Sequence, residues 1–205
     1  MTFLPRRLRA RAFTLIELLV VVGIMGLLMA LSVPMVASVS ESSNLTAAGQ
    51  TLADQIRLAV QISASRNEVV EVRLVKLSRP AGSTARYRAV QLWTANASGT
   101  MVPQEKISLF PGSIAINESP QLSPLLTLPN IQSGTFAQGG ASGIPYVAFR
   151  VHPSGYFEPE PAAATKSHLY VTLLPDRLVA AAAAPPNYLT VQVSPYTCAP
   201  AIYRP

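Results

Sequence analysis

Residues 13–40 read FTLIELLVVVGIMGLLMALSVPMVASVS, and no side chain between residues 18 and 40 carries a charge. As a helix rising about 1.5 Å per residue, this uncharged stretch is roughly 34 Å long. The hydrocarbon core of a bilayer is about 30 Å thick, so the stretch is predicted to span it with some tilt. Four arginines and no acid precede it within residues 1–12. Because basic flanks stay in the cytoplasm, the body of the chain is predicted to lie outside it.

Glu17 is the one acidic residue at the cytoplasmic edge of this stretch. A carboxylate deep in a bilayer costs about 2.5–3.5 kcal/mol on insertion scales, so such a residue needs a partner or a purpose. The physical argument leaves two interpretations open. Either Glu17 extends to the lipid headgroups as part of a plain single-pass anchor, or it has a functional partner.

The order of features around Glu17 resembles a known signal: a basic leader, Ala12, the segment FTLIELL (13–19) and an apolar helix. It resembles the class III signal of type IV prepilins and type II secretion pseudopilins. The resemblance implies that a prepilin peptidase/methyltransferase cuts between Ala12 and Phe13 and methylates the new amine of Phe13. It also implies that Glu17 pairs with the N-terminal amine of a neighbouring pilin or pseudopilin subunit. The family normally has Gly before the cut, where this chain has Ala12.

The same resemblance implies further partners and a location. The apolar helix would stay in the inner membrane until an inner-membrane assembly platform moves the subunit into a filament. An ordinary secretory signal peptide fits less well, because its apolar core is only about 7–15 residues long. At subgroup level, LFPG (109–112) and FRVHPSG (149–155) resemble the minor pseudopilin H and FimT proteins. The C-terminal segments 188–191 and 202–205 resemble Verru_Chthon cassette protein D.

The fold class is predicted to be α+β, with one long helix over residues 13–65 that packs on an antiparallel sheet of hairpins, as in pilins. Pro34 removes a backbone donor and is expected to bend this helix. Beyond the bend, apolar and small residues recur at spacings of three and four, which predicts one buried stripe. Its members are Leu45, Ala48, Leu52, Ile56, Ala59, Val60 and Ser63. Gly49 is expected to weaken the helix by about 1 kcal/mol relative to Ala.

Alternating apolar and polar residues predict the strands. They cover residues 68–77, 86–94, 146–151, 169–174 and 188–193, with shorter strands within 107–116 and 199–203. Residues 117–145 are rich in Ser, Pro, Gly and Gln without a period, and are predicted to be a surface insertion. The predicted domains are therefore a leader (1–12), a membrane or filament-core helix (13–40) and an extracytoplasmic globular domain (41–205).

The net charge of +6 invites a nucleic-acid interpretation. Removing the four leader arginines leaves 12 basic residues against 10 acidic ones. Most of the excess positive charge therefore lies in the leader, where it sets the orientation of the chain in the membrane. A second hypothesis remains, a pilus-associated receptor for DNA or another surface ligand. Its basic residues would be Arg73, Lys76, Arg79, Arg86 and Arg88, beside the rings of Tyr87 and Trp93. The alternative for this hairpin, a solvated sheet face, is favoured.

Signals for catalysis, metals and cofactors are weak. The two histidines, His152 and His168, are not at metal-ligand spacings, and the Gly139–Gly140 region lacks the Lys of a phosphate-binding loop. Ser154 sits in a Pro-Ser-Gly turn, so a triad with His168 and Asp176 is not expected. Cys198 is the only cysteine, which excludes an intramolecular disulfide, and it is predicted to be buried and inert. No enzyme activity, metal or cofactor is predicted.

Overall fold

The computed structural model describes residues 13–79, 81–161, 169–181 and 183–204, with the side chains of residues 30–38 and 142 left undescribed. The chain divides between Ser40 and Glu41 into two compact units. The predicted leader, including Ala12 on one side of the predicted cut, lies outside the described residues.

The one α-helix among the described residues, α1, spans Leu15–Arg66. Its backbone is helical through position 34, and the side chain of Pro34 is among those not described, so the bend at Pro34 stays a prediction. The helix ends where Asn67 adopts a φ of 53°. The N–H of Glu68 then donates to the carbonyl of Ser63 at 3.3 Å. This left-handed residue with its bond back across the last turn is a Schellman ending.

The described residues form an 11-stranded sheet in which every pairing is antiparallel. The strands are β1 (Val70–Leu77), β2 (Arg86–Ala95), β3 (Met101–Pro103), β4 (Ser108–Leu109), β5 (Ile114–Ile116), β6 (Gln132–Gln138), β7 (Ala141–Val151), β8 (Phe157–Glu158), β9 (Tyr170–Pro175), β10 (Leu189–Val193) and β11 (Pro200–Tyr203). Their main order is β11-β10-β9-β5-β2-β1-β7-β6, with β3 and β4 on β2 and β8 on β7. The α+β class is therefore confirmed.

One hydrophobic cluster joins the second half of α1 to one face of the sheet. Leu45, Leu52 and Ile56 from the helix are at most 1 % exposed, as are Val72 of β1 and Val191 of β10. The predicted stripe is buried except at Val60, which is only partly buried. The helix period of 3.6 and the strand period of 2 thus bring their apolar faces to one core.

Gly49 has a role that its sequence position did not suggest. It lies in the buried stripe of α1, and a Cβ built there would lie 2.9 Å from Cδ1 and 3.2 Å from Cγ of Leu189 on β10, with Cδ2 closer still. Because Leu189 is 1 % exposed, it has little room to move away. The glycine therefore permits a close approach between the helix and the sheet.

Residues 117–145 differ from the surface insertion expected from their composition. A short 3-10 helix, Pro124–Thr127, places Leu125 and Leu126 in the main core cluster, together with Leu128. The segment continues into β6 and β7, which form a hairpin. Gly139 and Gly140 close this hairpin with φ values of 59° and 83°, the conformation that a two-residue turn between twisted strands requires.

Candidate functional site

Thr14 and Glu17 form a reciprocal cap at the N-terminus of α1. The backbone N–H and the hydroxyl of Thr14 donate to Oε2 of Glu17 at 3.0 and 2.9 Å. In return, the N–H of Glu17 donates to Oγ1 of Thr14 at 3.3 Å. This is a capping box, in which an N-cap residue and the residue three positions later satisfy each other's backbone donors. The sequence signal for this cap is Thr-x-x-Glu at residues 14–17.

The cap fixes where the carboxylate of Glu17 lies in a single chain. It sits at the helix N-terminus, where the partial positive charge of the helix dipole favours an anion. Phe13, the predicted new N-terminal residue, is next to Thr14 in the chain. The sequence-predicted pair of Glu17 and the Phe13 amine of another subunit is not tested by a single chain.

Large apolar side chains surround the helix that follows the cap. Between residues 13 and 29 their exposed fractions range from 44 % at Val21 to 82 % at Leu15. A continuous apolar surface of this kind marks a contact with other proteins or with lipid. Within the described part of the chain, no helix is both long enough and apolar enough to cross a membrane.

Arg73, the first of the basic residues predicted for a receptor, is buried among aromatic rings. Its Nε donates to Oε1 of Glu71 at 2.6 Å, and both side chains are at most 7 % exposed. The guanidinium carbon lies 3.7 Å from the ring centroid of Trp93 and 4.0 Å from that of Tyr146. The Nε of Arg150 lies 3.1 Å from the other carboxylate oxygen of Glu71. Arg73 is therefore an internal partner of Glu71 and of the two rings, a cation–π arrangement.

The other predicted basic residues do not combine into a free basic surface. Lys76 is 2.7 Å from a carboxylate oxygen of Glu118, and Arg86 is 3.9 Å from the other. Arg88 is 7 % exposed and lies 2.7 Å from Oδ1 of Asp176. Arg79 is exposed. Alternation along β1 and β2 could not reveal these acids, because Glu118 and Asp176 come from segments that are distant in the sequence.

Two of the remaining candidates, Ser154 and Cys198, have contacts that the structure describes. Ser154 lies in a turn closed by a bond from the Gly155 N–H to the carbonyl of His152 at 2.8 Å, and His168 lies outside the described residues. Burial raises the pKa of the Cys198 thiol to about 12, which agrees with the predicted buried state. Its Sγ contacts the carbonyl of Gly155 at 3.3 Å. In the described residues, no group of three or more metal-ligating side chains is close enough to hold an ion.

Comparison with known proteins bears on the N-terminus alone. No curated protein and no solved structure matches the chain significantly. Residues 7–33 match the family profile described as the Prokaryotic N-terminal methylation motif. The N-terminus of this chain therefore carries a prepilin-type class III signal, which indicates a structural protein similar to type IV pilins or pseudopilins.

Proposed function

We propose that this chain is a minor pilin or pseudopilin subunit. A prepilin peptidase/methyltransferase cuts it between Ala12 and Phe13 and methylates the amine of Phe13. The single observation that carries this proposal is the methylation motif over residues 7–33. The mature subunit then joins other pilin or pseudopilin subunits through residues 13–40.

The proposed location follows from the same segment. Before assembly, residues 13–40 hold the subunit in the inner membrane as a single pass, with the arginines of residues 1–12 in the cytoplasm. The exposed apolar side chains of residues 13–29 support this, because lipid or neighbouring helices must cover them. An inner-membrane assembly platform then transfers the subunit into a type IV pilus or a secretion pseudopilus.

Glu17 acts in the filament, where the apolar helices are packed in a bundle. A lone carboxylate is costly there, and so is the lone amine of Phe13. A pair between Glu17 of one subunit and Phe13 of its neighbour offsets both costs and forms only at the correct axial stagger. The pair therefore specifies register more than it adds net stability.

Processing is tested first, by N-terminal sequencing and intact-mass measurement of protein extracted from membranes of peptidase-positive cells. The expected product begins at Phe13 and carries a methyl group on its amine. A strain without the peptidase is the control and should yield the full chain. Recovery of only the full chain from peptidase-positive cells would refute the proposed cut.

The role of Glu17 is tested with Glu17→Ala and a matched control, Thr14→Ala. Both changes remove the capping box, whose loss costs about 0.5–2 kcal/mol of helix stability, but only the first removes the acid. Glu17→Ala should be inserted and cut normally and fail to enter filaments. Thr14→Ala should still assemble, with reduced efficiency. If the two variants fail equally, the cap explains the phenotype; if Glu17→Ala assembles normally, Glu17 belongs to a plain membrane anchor.

The proposal that this chain is a minor subunit is tested by counting its copies per filament. Filaments purified from the native organism are analysed by quantitative mass spectrometry, with peptides from residues 107–150 as the reporters. A few copies per filament are expected. A copy number equal to that of the main structural subunit would show that this chain is a major pilin.

A further inference from the structure

A pocket of about 480 Å³ lies on the face of the sheet opposite the core, over β9, β10 and β11. The floor of the pocket consists of two neighbouring rows of residues that pair across these strands. Thr190 pairs with Thr172 on one side and with Tyr203 on the other, and Gln192 pairs with Tyr170. The alternate residues of β9 and β10 are buried in the core, so these side chains project away from it.

The lining is held in place by bonds within the chain. The hydroxyl of Tyr170 donates to the carbonyl of Gln121 at 3.0 Å. The N–H of Thr172 donates to Oγ of Ser123 at 3.0 Å, and the hydroxyls of Thr172 and Thr190 are 3.3 Å apart. Because these bonds come from different loops and strands, the pocket is largely preformed, as small-molecule sites usually are.

The charges around the pocket do not favour a metal ion or a cationic ligand. Among the described residues that line it, none is Asp or Glu. The one cation, Arg204, directs its guanidinium to other acceptors, Oγ1 of Thr46 at 2.6 Å, Oγ of Ser42 at 2.5 Å and Oδ1 of Asn187 at 3.2 Å. The described lining therefore offers no carboxylate to a metal or an amine, and the guanidinium of Arg204 is held in place by three neutral acceptors.

Apart from Arg204, the described lining combines flat apolar rings with hydroxyl and amide groups. Tyr170, Tyr188 and Tyr203 supply rings with polar tips, and Thr190 and Gln192 supply donors and acceptors on the floor. We propose that this pocket binds a neutral oligosaccharide, whose pyranose rings have apolar faces and hydroxyl edges. A proline-rich peptide also uses aromatic grooves, but its rings offer no donors to a floor of hydroxyl and amide groups. The volume falls within the usual range for small ligands, about 300–1,000 Å³.

The test uses the full chain in a zwitterionic detergent without a sugar headgroup. Maltotriose, cellotriose, tri-N-acetylchitotriose and a proline-rich decapeptide are titrated by calorimetry, with saturation-transfer NMR on the ligand protons. At least one sugar is expected to bind with a dissociation constant at or below about 1 mM. Binding by none of the three sugars, or by the peptide alone, would overturn the proposal.

Matched variants locate the site. Tyr203→Ala removes a ring that is 56 % exposed on the edge strand β11, and Thr190→Val removes a hydroxyl at nearly constant volume. Each should weaken sugar binding about tenfold. Tyr196→Ala removes a ring that is 69 % exposed outside the pocket and should leave binding unchanged. If all three variants bind like the unchanged chain, the sugar binds elsewhere and this assignment is wrong.

Discussion

The close approach of Gly49 to Leu189 decides whether Gly49→Ala stabilises or destabilises the protein. In an exposed helix, Gly→Ala would stabilise the protein by about 0.8–1.0 kcal/mol because Ala has the higher helix propensity. Here the new methyl group would lie 2.9 Å from Cδ1 of Leu189 and closer to its Cδ2. Overpacking of a core costs about 1–3 kcal/mol. The two effects oppose each other, and we expect Gly49→Ala to destabilise the protein by about 1 kcal/mol.

The assay is thermal unfolding of the detergent-solubilised full chain, followed by the fluorescence of Trp93. Trp93 is the only tryptophan and lies on β2, so the signal reports on the second unit. For a chain of this size, 1 kcal/mol corresponds to a shift in Tm of about 2–4 °C. Gln50→Ala, at the next position and exposed, is the matched control and should change stability by less than about 0.5 kcal/mol.

A double-mutant cycle with Leu189→Ala separates the contact from other effects. Leu189→Ala alone should cost about 2–5 kcal/mol by leaving a cavity. In its presence, Gly49→Ala should change from destabilising to stabilising, because the new methyl group enters the cavity. A coupling energy near zero, or a stabilising single Gly49→Ala, would refute the close packing of α1 on β10.

Removal of residues 1–40 is expected to leave a soluble, cooperatively unfolding monomer, because the buried stripe of α1 still covers the sheet; gel filtration and thermal melting measure this, and aggregation would contradict it. Cys198 should resist thiol reagents at pH 8 until the protein unfolds. Since the pKa of its thiol is raised from 9.0 to about 12, its contribution to stability is complete below pH 9 and is lost as pH rises towards 12, and unfolding curves at pH 8–11 measure this loss. Arg73→Leu should cost at least about 2 kcal/mol, because Glu71 would then keep only Arg150 as a cationic partner among the described residues. Duplex DNA should not be retarded by the full chain at low salt, because Arg73 and Arg88 are buried in internal pairs, and a salt-sensitive shift would contradict this.

Local patterns predicted much of the fold. The predicted helix over residues 13–65 corresponds to Leu15–Arg66, and the first predicted hairpin to β1 and β2. Both depend on short-range periods, which a sequence displays directly. The turn at Gly139–Gly140 could also have been predicted, since Gly-Gly between two runs of alternating residues is a hairpin signal.

Long-range pairing could not be predicted from those periods. Alternation places Glu71 and Arg73 on one face of β1, but it does not show that β7 lies beside β1 and brings Arg150 to Glu71, a residue 79 positions away. For the same reason, the sequence made Arg73 a candidate for ligand binding, whereas the structure covers it with Trp93 and Tyr146. The effect of a Cβ at Gly49 could not be predicted either, because it depends on Leu189, which lies on a strand distant in the sequence.

The capping box also bears on how Glu17 could serve two roles. The two bonds from Thr14 both end on Oε2 of Glu17, and among the described residues Oε1 has no hydrogen-bond partner. In the proposed filament pair, one carboxylate oxygen would therefore hold the cap while the other accepts the amine of a neighbouring subunit. Fixing a long acidic side chain costs roughly 1.5–2 kcal/mol in lost rotamers, and the cap has already met part of that cost before assembly. On this reasoning Thr14 preorganises Glu17, which is why its removal should reduce filament assembly without abolishing it.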